Sequence, residues 1–162
     1  MSIDIHGSMY YNKSNKIKKR GESEIGQKKK KYIPKSFEST GVSNDTSANI
    51  YESMLTSAAF LDLSKNQRLL YMYMKAQYYG KRKPRKDYPD IEEIQGDECF
   101  YFNQALAVKY NLYTRSNHQS FYSDIKAIER HGFIKIVSNG RNTKSKSIYK
   151  FVGDWKEWKD SS

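Results

Sequence analysis

The segment 117–130 carries side chains whose types and helical spacing suit contacts with nucleic acid. Five of them would share the polar face of one helix: Gln119, Tyr122, Ser123, Lys126 and Arg130. Amides pair bidentately with adenine, cations pair with guanine or phosphate, and hydroxyls reach phosphate oxygens. Asn117 and His118 would begin this helix, where free backbone N–H groups attract an anion. The pattern predicts a helix that reads the major groove of a duplex.

The expected roles within this set differ. Gln119, Ser123 and Lys126 would approach base edges, and phosphates would be held by a second group: Tyr122, Arg130, Arg141, Lys144 and Lys146. Any solvated helix also presents a polar face, so the helix alone is open to both interpretations. The segment from Ser138 to Phe151 favours binding of nucleic acid. It contains Arg141, Lys144 and Lys146 and no acidic residue. Cations at a hairpin tip can grip the backbone or enter the minor groove.

A helix-ending glycine and alternating apolar residues predict the secondary structure around this segment. The helix would run from about Asn117 to His131 and end at Gly132. Its inner face would consist of apolar residues at i, i+4 and i+7: Phe121, Ile125 and Ile128. FIKIV (133–137) and SIYKFV (147–152) nearly alternate and, with the Asn139-Gly140 turn signal, predict a β-hairpin.

Capping residues predict the earlier elements. Ser64 would cap a helix that stops at Gly80, with five residues at helical spacing: Leu69, Leu70, Tyr73, Met74 and Gln77. Residues 98–102 (ECFYF) predict a short strand. Asn103 would cap a brief helix that ends at Asn111, a residue type that tolerates the left-handed conformation, before a polar turn.

Three segments have weaker patterns. Residues 51–61 suggest a helical or irregular apolar lead-in. Residues 80–97 contain two prolines, two glycines and alternating charge blocks, which predict a long loop. Trp155 and Trp158 could cover the core as a final helical turn.

Charge and composition separate a tail from a domain. Residues 1–50 carry 10 basic and 5 acidic residues (net +5), which leaves 19 and 13 (net +6) of the chain's 29 and 18 for the rest. Residues 1–48 lack a sustained period and cannot bury enough apolar area to offset their ordering entropy. We therefore predict a disordered basic tail over 1–48 and one domain over 49–162. The element order predicts an α+β winged helix-turn-helix: a three-helix core, a β-hairpin wing and a short third strand.

The sequence offers no arrangement typical of an enzyme. Cys99 is the only cysteine, which excludes an intrachain disulfide and a Cys-rich metal site. The three histidines are scattered, at His6, His118 and His131. No HExxH motif, Gly-rich phosphate loop or nucleophile elbow occurs. Tyr113 and Tyr122 as strand-cleaving nucleophiles would need a metal-holding histidine cluster that the chain lacks. We predict no enzymatic activity, no cofactor and no metal.

The net charge of +11 predicts attraction to a polyanion, either nucleic acid or an anionic membrane surface. No run of about 18 apolar residues exists to span a bilayer, and the N-terminus lacks the apolar stretch of a secretory signal. We therefore expect a cytoplasmic protein without a membrane partner.

Residues 50–158 resemble winged-helix proteins encoded by plasmids, integrative elements and phages of Gram-positive bacteria, which are usually described as replication-initiator-like. The resemblance rests on SMLTSAAFLDLSKNQRLLYMYMKAQYYGKRKPRKDYPD, CFYFNQALAVKYNLY, FYSDIKAIERHGFIKIVSNG and KSIYKF. It implies DNA binding through helix 117–130 and a wing near 141–146. Multidomain initiators often carry two winged helices, so a single one favours a regulator or accessory factor.

The resulting expectation is sequence-specific binding of double-stranded DNA in replication, transcription control or transfer of a mobile element. Other replication or transfer proteins, and a second copy on a palindromic site, are further expected partners. The alternative is a winged-helix docking module for proteins of a nucleoprotein complex, with Tyr71–Tyr79 as its surface. RNA binding is a third hypothesis, although no RNP-type aromatic motif occurs.

Two further basic runs have two interpretations each. The block Lys81–Lys86 is either a third phosphate contact or a solvated loop paired with the acids after it. The run Lys28–Lys31 is either an electrostatic arm or a solubilising tail.

Overall fold

The computed structural model describes residues 34–41, 46–78, 83–96, 98–140 and 146–159. These ranges form six α-helices: α1 Glu52–Leu55, α2 Ala58–Asp62, α3 Lys65–Ala76, α4 Pro84–Asp87, α5 Gln104–Lys109 and α6 His118–Arg130. They also form three strands: β1 Cys99–Tyr101, β2 Ile134–Ser138 and β3 Ile148–Phe151. Two 3-10 turns lie at Glu92–Ile94 and Asp154–Lys156. The α+β class is therefore confirmed, and the elements are compatible with a winged helix. Most of the predicted tail, residues 1–33 and 42–45, lies outside the described ranges.

The strands form one antiparallel sheet of order β1-β3-β2. Tyr149 of β3 lies opposite Phe100 of β1 and Ile136 of β2, and all three belong to the main core or pack against it. Side chains alternate along a strand, so the exposed Lys135 lies on the other sheet face. The predicted β2–β3 hairpin is confirmed, whereas its tip, residues 141–145, lies outside the described ranges.

The helix α3 begins as predicted. Ser64 accepts a hydrogen bond from the backbone N–H of Gln67, whose side chain accepts one from Ser64 in return. Leu69, one of the five residues at helical spacing, is 43% exposed, whereas Tyr71 is buried and cannot belong to the partner surface that the docking alternative places at Tyr71–Tyr79. Tyr71 packs against Phe133, with ring centroids 4.9 Å apart. The side of α3 that carries Tyr71 therefore faces the core, where it packs against Phe133 beside the sheet.

The segment between α3 and β1 is not the plain loop that its prolines and glycines predicted. Pro84 begins α4, because its fixed φ suits the first helical position. Pro84 and Ile94 are both fully buried. Ile94 packs with Cys99 and Ile148 on the sheet face that carries Lys135. The loop prediction was wrong for two reasons. Proline breaks a helix from within but can also begin one, as Pro84 does. The sheet face on which Ile94 packs is formed partly by β3, which is distant in sequence.

Gly132 ends α6 with a φ of +75°, as its position after the helix predicted. Its carbonyl accepts a hydrogen bond from the backbone N–H of Trp155 at 3.0 Å. Trp155 stacks on Phe133 at 5.8 Å, and Trp158 stacks on His131 at 4.8 Å. The predicted covering of the core by a final turn is confirmed.

We expect Gly132→Ala to lower the free energy of unfolding by at least about 2 kcal/mol. An alanine would keep the unfavourable positive φ, and its Cβ would lie 2.5 Å from Trp155 N and 2.7 Å from the carbonyl carbon of Asp154. Urea denaturation followed by far-UV circular dichroism measures the change. Gly153→Ala is the matched control, because its Cβ would meet only the end of the Lys156 side chain, at 3.9 Å. An equal loss in both variants would contradict this account.

Candidate nucleic-acid interface

Four polar side chains on the outer face of α6, which we call the α6 stripe, are Gln119, Ser123, Lys126 and Arg130. Intervals of four, three and four residues place them within roughly 60° around the helix and along roughly 16 Å of its length. All four are exposed, and none has a side-chain hydrogen bond or ion pair to another described residue. The predicted inner face is confirmed, because three apolar residues are at most 1% exposed: Phe121, Ile125 and Ile128.

Three other predicted contact residues lie beside the stripe. Tyr122 is half-buried, and its ring lies 5.1 Å from that of Phe121 in an edge-to-face arrangement. Asn117 and His118 are exposed at the start of α6. The Asn117 side chain makes no capping hydrogen bond, so its amide is not committed to its own helix.

Asp124 fixes the rotation of α6 and therefore the direction of the stripe. Its Oδ1 accepts a hydrogen bond from Nε2 of Gln67 on α3 at 2.9 Å. Its Oδ2 accepts one from the hydroxyl of Tyr113 at 2.5 Å, and the Tyr113 ring meets Phe121 edge-on at 5.5 Å. These bonds reach α6 from two separate segments, which opposes rotation about its axis. Asp124 was not predicted from the sequence, where its only signal is that of an acid at the border of an apolar face.

We expect Tyr113→Phe to lower the free energy of unfolding by about 1.5 kcal/mol at neutral pH, because Asp124 loses a donor. Burial, followed by the hydrogen bond to Asp124, raises the pKa of Tyr113 above its usual value. The folded state thus favours the neutral phenol. This stabilisation is complete below the unfolded pKa of about 10 and is lost as pH rises through the folded pKa.

Urea titrations at neutral pH and above the unfolded pKa measure this contribution. The wild type should lose more stability than Tyr113→Phe over that interval. Parallel losses in the two proteins would show that the Tyr113 hydroxyl does not contribute in this way.

Gln104 holds the turn that leads into α6. It is buried at the start of α5, and its Nε2 donates to the carbonyls of Thr114 and Arg115 at 3.2 and 3.3 Å. The predicted cap of α5 is confirmed, since the Asn103 side chain accepts a backbone hydrogen bond. Asn111 has a φ of 58°, as the predicted helix end requires. The α5–α6 turn is therefore fixed by buried polar contacts, with Arg115 exposed on its outside.

The C-terminal end of α6 is held by two side chains. Oε1 of Glu129 accepts a hydrogen bond from the backbone N–H of Ile136 on β2 at 2.9 Å. Nδ1 of His131 lies 2.7 Å from the carbonyl oxygen of Ala127, and Nε2 lies 2.8 Å from Oδ2 of Asp62 on α2. The sequence placed His131 at the end of the helix but did not indicate its contact with α2.

The structure describes one of the three predicted wing cations. Lys146 is exposed, and its ammonium lies 5.4 Å from the ring centre of Tyr101 on β1. This contact directs Lys146 to the far edge strand, whereas α6 packs against β2. Arg141 and Lys144 lie outside the described ranges, so their position beside the stripe stays a prediction.

The basic block after α3 is partly committed to internal contacts. Lys83 donates to the carbonyl of Tyr78 and lies 4.6 Å from the centre of its ring. Lys86 is exposed on α4. Lys81 and Arg82 lie outside the described ranges. Lys83 is therefore a poor candidate for a phosphate contact.

Other site classes find no support in the described part of the chain. There, no group of three or more His, Cys, Asp or Glu residues could hold a metal ion, and no helix is long and apolar enough to cross a membrane. Tyr113 is buried with its hydroxyl bonded to Asp124, which does not suit a strand-cleaving nucleophile. No protein-family model, curated protein or solved structure matches this chain.

Proposed function

We propose that this chain is a winged helix-turn-helix protein that binds a specific site on double-stranded DNA. In this proposal α5 and α6 form the helix-turn-helix, α6 enters the major groove, and the β2–β3 hairpin is the wing. The protein then acts as an accessory or regulatory factor in replication, transcription or transfer of a mobile genetic element. The resemblance of residues 50–158 supports that biological role.

The α6 stripe is the observation that carries the proposal. Its amide, hydroxyl and two cations match the groups that read base edges and hold phosphates. They project from a helix whose opposite face is buried and whose rotation is fixed by Asp124, so the contacts are positioned before DNA arrives. The net charge of +11 adds attraction to the phosphate backbone.

Fluorescence anisotropy with a labelled duplex of random sequence tests the binding class. Binding should be readily measured at about 50 mM salt and should weaken linearly on a log–log plot as salt rises. The slope counts the phosphates that the protein neutralises. Absence of binding at low salt, or tighter binding of single-stranded or structured RNA, would refute duplex DNA as the partner.

Selection from a pool of random duplexes tests specificity. One enriched motif is expected, and its symmetry reports whether one or two copies bind. Deleting residues 1–48 should lower the affinity for all sequences alike and flatten the salt slope, because a basic arm would contribute only phosphate contacts. A pool without enrichment would contradict sequence-specific binding.

A further inference from the structure

The helix α3 carries apolar side chains on two faces. The inner face belongs to the main core: Leu70, Tyr71 and Met74. On the outer side, Leu69 and Tyr73 are one turn apart, and Ala76 continues the same spacing. Leu69 is 43% exposed, and Tyr73 is half-buried. The inner face alone makes the contacts of α3 with α6 and the sheet, so the partial exposure of the outer apolar residues requires an explanation.

An aromatic pair extends this outer face from α3 to the end of α5. The rings of Tyr73 and Tyr110 stack with centroids 4.6 Å apart and an interplanar angle of 25°. The hydroxyl of Tyr110 accepts a hydrogen bond from Nε2 of Gln77 at 3.1 Å, which fixes the pair. Leu69, Tyr73 and Tyr110 thus form a contiguous surface, the α3–α5 strip, whose shape is set before any partner binds.

The charged side chains on α3 and α5 themselves have one sign. No Asp or Glu occurs between Leu63 and Lys86, or between Cys99 and Ser123, so neither helix contains an acid. Lys65 lies one turn before Leu69, and Lys109 immediately precedes Tyr110. Both lysines are exposed. The strip is therefore an apolar surface with cations at its two ends.

We propose that the α3–α5 strip is a docking site for an acidic amphipathic segment of a partner protein. Apolar side chains of that segment cover Leu69 and the Tyr73–Tyr110 pair, while its carboxylates face Lys65 and Lys109. Apolar contact with charge complementarity is the pattern of a helix laid on a hydrophobic surface. The proposal does not use the α6 stripe and stands independently of the proposed DNA binding.

Two other occupants fit the strip less well. A second copy of the chain in a two-fold arrangement would bring the same two acid-free helices together, so lysines would face lysines. Duplex DNA presents phosphates and sugars along its outer surface, which match the lysines but leave the exposed aliphatic group of Leu69 without an apolar partner.

The probe is a labelled synthetic helical peptide with Leu at i, i+3, i+4 and i+7 and Glu at the remaining exposed positions. Anisotropy titrations with the full-length protein should show saturable binding. Two peptides serve as controls: one has the same composition with the leucines dispersed, and the other has Lys in place of Glu. Both controls should bind at least about fivefold more weakly, because each lacks one of the two features that the strip would recognise.

Leu69→Ser should weaken binding of the acidic amphipathic peptide at least about fivefold, because the strip loses its exposed aliphatic group. Leu61→Ser is the matched control: Leu61, on α2, is 57% exposed and lies outside the strip, so affinity should stay within about twofold of the wild type. Thermal denaturation should show that both variants are folded.

Four results would overturn the proposal. The first is no saturable binding of the acidic amphipathic peptide. The second is equal weakening by Leu69→Ser and Leu61→Ser. The third is a concentration-dependent dimer in light scattering that Leu69→Ser dissociates, which would identify a second copy as the occupant. The fourth is weaker duplex binding in Leu69→Ser without an effect on the peptide, which would assign the strip to DNA.

Discussion

The double variant Lys126→Ala with Arg130→Ala should bind the selected duplex more weakly by about 3 kcal/mol, or at least about 100-fold. Both side chains are exposed on the α6 stripe without a partner among the described residues, so their removal deletes contacts with DNA and leaves internal ones intact. The salt slope should also fall by up to about 0.9 for each phosphate contact that is lost. Anisotropy titrations over a salt series measure both quantities.

The matched control removes the same charge elsewhere. Lys65 on α3 and Lys159, after the last 3-10 turn, are both exposed, and both lie outside α5, α6 and the β2–β3 hairpin. Lys65→Ala with Lys159→Ala should lower the affinity by less than about 1 kcal/mol, through the general field alone. If both double variants weaken binding equally, only net charge matters and the stripe is not the interface. Unchanged affinity in Lys126→Ala with Arg130→Ala would reject the stripe directly.

Phe121→Ala should lower the free energy of unfolding by about 4 kcal/mol. Phe121 is fully buried at the inner face of α6, where its ring lies 6.4 Å from that of Phe102 and 5.5 Å from that of Tyr113. Truncation leaves a cavity that rigid aromatic neighbours cannot fill. Urea denaturation followed by circular dichroism measures the loss.

Phe37→Ala is the control for this variant, because Phe37 is 81% exposed and its truncation should change stability by less than about 0.5 kcal/mol. Phe121→Ala should also weaken DNA binding at temperatures where it remains folded, since α6 loses its fixed rotation. A stable Phe121→Ala protein would mean that α6 is not anchored through this ring.

Local chemistry explains which elements were predictable. Ser64 and Asn103 cap helices by hydrogen bonds to residues three positions later, and Gly132 and Asn111 end helices through their own φ angles. These interactions involve residues only a few positions apart, so a short stretch of sequence is enough to predict them. The same holds for the inner face of α6, because a single amphipathic period leaves one direction for burial.

The errors share a different cause. Leu69 and Tyr71 both lie in the apolar helix α3, and Tyr71 turns inward onto the rings of Phe133 and Phe151, which are distant in sequence. The sequence around Pro84 and Ile94 predicts a loop, because the sheet face on which Ile94 is buried is formed by residues that include the distant Ile148. The contact of the Lys146 ammonium with the ring of Tyr101 was not predictable either, because Tyr101 lies 45 positions earlier in the chain.

The order of amino acids by itself determined where helices start and stop, which strands form a hairpin, and which side of α6 is polar, since each depends on periodicity and capping within one segment. Only the tertiary structure decided the direction of that polar side. Asp124 takes donors from Gln67 and Tyr113, which lie on separate segments, and this pair of contacts sets the rotation of α6. Contacts between distant segments depend on how the whole core packs, and a local pattern does not contain that information.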